Sequence, residues 1–236
     1  MIDKKKLTLL IIAIATVVLS KLLKLFTVSY SCGSQSMIFS GVSIIGPFYG
    51  FLLSIPAIFV YSLMIPLTCL LIKGSLGFSI FSTFGIPTAG AALSLRAASQ
   101  VNRKFGVVVL DIVMRIVVPV ICMTLFLMHP IGYSSFPYSF YWFVPIVFFI
   151  LNYNKVMHSK FGIRFSAALS STFIAHALGS VIYLYSFDTS ALLWLSLIPI
   201  VAFERLVIAG GMVGLYYLLE GIALIYLKRH RGIRHL

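Results

Sequence analysis

Charge is what this sequence has least of: 10% of its 236 residues are Asp, Glu, Lys or Arg, against roughly a quarter in a soluble domain. A water-soluble globule is thereby excluded, since its surface would have to be built from apolar side chains. Acids are scarcer still. Five of them face 18 Lys and Arg, a net charge of +13, and so few carboxylates leave little scope for a metal ion held by several oxygens. The three cysteines, Cys32, Cys69 and Cys122, are odd in number and form no CxxC pair, which excludes a disulfide framework and a thiolate metal site. Enzyme signatures are missing too: there is no GxSxG, HExxH, Walker A or aspartate-rich phosphotransferase pattern. The sequence is read as neither an enzyme nor a holder of metal or organic cofactor.

What is present is apolar length. Hydrophobic residues make up 61% of the chain and the mean hydropathy is +1.08, the composition of an integral, multi-pass membrane protein of all-α fold class. A span needs about 20 apolar residues, which predicts six, at 7–27, 48–72, 106–127, 139–153, 166–187 and 206–227. The start, MIDKKKLTLLIIAIATVVLS, has the basic and apolar parts of a signal peptide without a small-x-small cleavage site, and reads as a retained first span. Two further apolar stretches, 76–95 and 190–203, are decided by the basic residues. If 76–95 dips in and returns, fourteen cations gather on one side: Lys4, Lys5, Lys6, Lys73, Arg96, Arg103, Lys104, Lys155, Lys160, Arg164, Lys228, Arg229, Arg231 and Arg234. By the positive-inside rule that side is cytoplasmic, and both termini with it. Basic clusters placed between apolar runs in this way exclude a nucleic-acid surface. Gly85 and Pro87 break the stretch halfway, which suits a re-entrant or packed hairpin over 76–98. The alternative has both stretches crossing, for eight spans.

The outward loops are then 28–47, 128–138 and 188–205. The first is long and rich in Ser and Gly, as in a lid. Its Gly33, Gly41 and Gly46 let it fold back, and Ile44, Ile45 and Phe48 offer apolar contacts.

Ionisable groups at membrane depth are functional candidates by default. Asp111 and Arg115, four apart on the third span, share a helix face and are expected to pair. His176 falls near the middle of the fifth span, among Ser170, Ser171, Thr172 and Ser180. Glu204 and Arg205 stand side by side in an otherwise uncharged stretch from Thr189 to Leu219. Helical neighbours point about 100° apart, so each is expected to find its partner elsewhere, at the outer mouth of the sixth span. Arg205 is the candidate solute contact, because its planar fork grips a carboxylate or carbonyl in two places. Glu220 is expected to meet Arg115 or a neighbouring helix. Trp142, Trp194, Tyr141 and Tyr183, near the outer ends of their spans, offer rings that could sandwich a ring-shaped solute.

Six spans with both ends inside, the long first outer loop and the start KKKLTLL at 4–10 resemble the substrate-binding S component of an energy-coupling factor (ECF) transporter. The likeness covers most of the chain. It implies capture of a vitamin or other small polar molecule from the outer side of the cell (inner) membrane. Its partners would be a transmembrane coupling subunit and two cytoplasmic ATPase subunits. The family's Ala-x-x-x-Ala contact motif on the first helix is not matched. Thr16 and Ser20 are the nearest small pair there, while Gly90, Ser94 and Ala98 repeat at four-residue spacing. The alternative reading is an integral membrane enzyme or structural membrane protein of an unrecognised family.

Overall fold

The computed structural model describes residues 27–32, 35–62, 85–100 and 104–232. The expected first span, the second half of the second, the 76–84 arm of the hairpin and the extreme C-terminus lie outside the described residues. Apart from one β hairpin the described chain is helical. Strands β1 (Thr27–Cys32) and β2 (Gln35–Ser40) pair antiparallel, with Thr27 opposite Ser40 and Cys32 opposite Gln35. The loop expected at 28–47 is thus mostly a hairpin, followed by a 3₁₀ turn at Gly41–Ile44 and helix α1 (Ile45–Leu52). Helix α2 (Ile86–Ala98) starts directly after Gly85, with Pro87 in its first turn, where a missing N–H removes no hydrogen bond.

Four helical runs are long and apolar enough to cross a membrane: Phe105–Met128, Phe136–Tyr153, Lys160–Ser186 and Ala191–Ile222. The first we call α3. It contains one π-helical stretch, Val113–Val117, where Pro119 can donate nothing back to the carbonyl of Arg115 and the spiral widens. A single helical turn, Pro130–Ser134, follows at once. Gly132 allows this sharp reversal, since a Cβ there would lie 1.9 Å from the Phe126 carbonyl oxygen. The second run is a 3₁₀ segment, Phe136–Trp142, leading into α4 (Phe143–Tyr153). Helix α5 (Lys160–Ser186) is capped by Ser159, whose hydroxyl accepts from the Gly162 N–H at 2.9 Å.

Helix α6 runs unbroken from Ala191 to Gly232 through Pro199, about 63 Å at 1.5 Å per residue. This corrects the expected outward loop at 188–205. The connection is 187–190, and the stretch 190–203 joins the expected sixth span in one helix. Proline at 199 removes one hydrogen bond, which the long apolar run on either side outweighs once the helix is packed.

Side-chain pairs fix the directions. Asn152 meets Ser166, and Tyr138 meets His176, so α4 and α5 are antiparallel. Arg164 meets Glu220, and Arg205 meets Thr172, so α5 and α6 are antiparallel. Arg115 lies over Phe149, and Phe126 lies against Trp142, which makes α3 and α4 antiparallel as well. Lys104, Lys155, Lys160 and Arg164 therefore gather at one end of this bundle, whereas the connections at the other, 129–135 and 187–190, contain no Lys or Arg.

The short helices fill the basic half against α5 and α6. Gly46 and Gly50 on α1 face α2 so closely that a Cβ would lie 2.3 Å from Thr88 Cγ2 and 2.3 Å from the Ala92 carbonyl oxygen, respectively. That is a small-residue contact between two backbones, and it makes α1 and α2 parallel. Gly90, one of the small residues singled out in sequence, turns to α5, where a Cβ would lie 2.6 Å from Leu178 Cδ1. Pro87 sits against Gly179 and Ile44 against Gly211, so both short helices begin partway along the spanning ones. The core of the other half is aromatic: Phe126, Tyr138, Trp142 and Trp194 are buried and meet edge-on or stacked at 4.9–6.5 Å.

Candidate functional site

Glu204 and Arg205 lie near the middle of the apolar run Ala191–Ile222, about 20 Å from its start, and not at a helix mouth. They also pair with each other, against the expectation from helical geometry. Arg205 Nε and Nη2 donate to Glu204 Oε2 at 3.1 and 2.5 Å. Neighbouring Cβ atoms diverge, but the long guanidinium stem curls back to the carboxylate. The remaining guanidinium nitrogen, Nη1, donates to the Thr172 carbonyl on α5 at 3.4 Å. Both side chains keep a little exposure, 12% for Arg205 and 13% for Glu204.

One turn from Thr172 on the same helix is His176. Its Nε2 shares a 2.7 Å hydrogen bond with the Tyr138 hydroxyl, which also lies 3.4 Å from Ser180 Oγ. Three elements, the 3₁₀ segment before α4, α5 and α6, thus bring Tyr138, His176, Ser180, Thr172, Glu204 and Arg205 to one region of the bundle. Tyr138 is the residue that sequence reading missed. It is uncharged, 38 residues from its partner and one of many aromatics in 133–153, so nothing local marks it.

The aromatic candidates turn inward. Trp142 is fully buried among Phe126 and Tyr138, and its indole nitrogen has no hydrogen-bond partner among the described residues. Trp194 donates to Thr189 Oγ1 at 3.1 Å. Tyr141 stacks on Phe173 at 5.6 Å and donates to the Ile198 carbonyl beside Pro199. Tyr183 lies 6.2 Å from Trp194 and 4.7 Å from Phe187. Trp142, Trp194 and Tyr183 pack mostly edge-on with their neighbours, towards the 187–190 end of the bundle.

Asp111 and Arg115 form a second polar centre. They are fully buried and pair twice, Nε to Oδ1 at 2.6 Å and Nη2 to Oδ2, as their spacing leads one to expect. The Arg115 guanidinium also lies 5.1 Å from the Phe149 ring centre. Glu220 meets the neighbouring helix, at Arg164, rather than Arg115.

Chemically, the Glu204–Arg205 region offers hydrogen-bond donors and acceptors with no net charge from the ion pair. Among the described residues no three of His, Cys, Asp and Glu converge as metal ligands would. Comparison with protein-family models, with curated proteins and with solved structures gives no match.

Proposed function

We propose that the chain is the membrane-embedded, solute-binding subunit of an ECF-type uptake transporter, which captures a vitamin or other small polar molecule. The observation that carries this reading is the polar region shared by three membrane-length elements: a partly exposed ion pair beside a Tyr–His hydrogen bond, deep in an apolar bundle. Charged groups at that depth are expensive and are retained where they bind or conduct something. Arg205 is the recognition residue: Glu204 and the Thr172 carbonyl hold it in place through three of its five N–H groups, and the two left on Nη1 and Nη2 remain for a carboxylate or carbonyl. The basic end faces the cytoplasm of the cell (inner) membrane, and the solute enters from the opposite end, beneath the 27–40 hairpin acting as a lid. A transmembrane coupling subunit and two cytoplasmic ATPases supply the energy.

Mass spectrometry of small molecules extracted from the purified full chain tests this reading. A polar solute present in near-stoichiometric amount is the expected result. An extract containing only lipid and detergent would reject it.

A further inference from the structure

The chain holds far more cations than it can neutralise. Among the described acids, Asp111 holds Arg115, Glu204 holds Arg205, Glu220 holds Arg164, and Asp188 lies at the opposite end of the bundle. Lys104, Lys155 and Lys160 are exposed and form no ion pair among the described residues. They share one rim. Lys155 lies in the 154–159 connection between α4 and α5, Lys160 opens α5, and the antiparallel pairing of α3 with α4 returns Lys104 to the same end of the bundle. The backbone of Lys155 is left-handed, with φ of 54°, and turns the chain sharply after α4.

Around these lysines apolar and aromatic side chains are exposed. Phe105 is 85% exposed, Tyr153 73%, Val156 58% and Phe161 56%. Rings and long cations on one rim suit the boundary where acyl chains give way to phosphates, with the aromatic bodies in the hydrocarbon and the ammonium groups above it. Helices α3 and α5 both start there, and their amino ends add to the positive potential.

We infer that this rim is a binding site for the phosphate group of anionic phospholipids, held by Lys104, Lys155 and Lys160, with Phe105, Tyr153 and Phe161 against the acyl chains. A zwitterionic headgroup fits less well, because its own ammonium cancels the charge the lysines seek. The inference stands apart from the transport reading and concerns a different part of the molecule.

The test titrates the purified full chain, in neutral detergent, with phosphatidylglycerol, with phosphatidylcholine and with inorganic phosphate at matched ionic strength. Bound lipid is counted by native mass spectrometry and the thermal midpoint is followed in parallel. Saturable binding of phosphatidylglycerol alone is expected. Each surface lysine contributes enough that its loss should raise the half-saturating concentration about fivefold, and Lys155→Gln with Lys160→Gln together about 30-fold. Equal binding of phosphatidylcholine would overturn the inference. So would a phosphate effect that reproduces the lipid effect, or unchanged binding by a double variant whose lipid-free midpoint matches the parent.

Discussion

Two ion pairs inside one bundle have different surroundings, and the difference decides what each residue does. Asp111 and Arg115 are sealed, with both side chains fully buried and a doubled hydrogen bond between them. Such a pair adds little net stability over apolar residues of the same size, but removing one member strands the other in a dry interior. Asp111→Asn should therefore cost on the order of 3–5 kcal/mol, read as a lowered thermal midpoint. Asp111→Leu combined with Arg115→Met should recover most of that loss, and a double variant as unstable as Asp111→Asn would contradict the structural role. Glu204 and Arg205, by contrast, retain exposure and reach across to α5. The first pair was legible in sequence because four residues make one helical turn. The second was not, since adjacent residues on a helix point apart, and the arginine curls back to Glu204, its one ion-pair partner among the described residues. Tyr138 and His176 are joined only by the folding of α4 against α5, which no local spacing encodes.

Glycine shows how the short helices are seated. At Gly50 a Cβ would press on the Ala92 carbonyl oxygen at 2.3 Å, a backbone atom that cannot swing aside. Gly50→Ala should push α1 from α2 and cost about 1–3 kcal/mol, the usual range for overpacking a close contact. Gly210, which meets nothing within 4 Å, is the control. Gly210→Ala should leave the thermal midpoint unchanged or slightly raised, because alanine favours a helix. Equal effects at the two positions would mean that α1 and α2 do not pack through these glycines. Among the elements, apolar length located three of the four membrane-length runs, two of them to within a turn at their ends and the third, α5, with its start placed at 166 instead of Lys160. It misjudged α6, because Pro199 and a charged pair inside an apolar stretch read as a boundary. Those local breakers lose to a helix whose two halves are both long and packed, so the charges end up in its middle.

For the molecule as a whole, the basic residues set the orientation proposed here. Single cysteines introduced at 158 and at 188, in a background with Cys32, Cys69 and Cys122 replaced by serine, report it in intact cells. An impermeant reagent should label position 188 and spare position 158; the reverse pattern would turn the bundle over and put the proposed entrance on the wrong side. Deleting residues 31–40 should weaken solute retention with the thermal midpoint unchanged, whereas full retention would remove the lid role from the hairpin. The central claim is that the Glu204–Arg205 region binds the solute. It is tested most directly by the affinity of Arg205→Gln for the molecule that copurifies with the parent protein, with folding checked by the thermal midpoint. Loss of a forked hydrogen bond in a partly dry site should cost on the order of 1–3 kcal/mol, a rise in Kd of about one to two decades. A folded Arg205→Gln protein that binds as tightly as the parent would contradict the account.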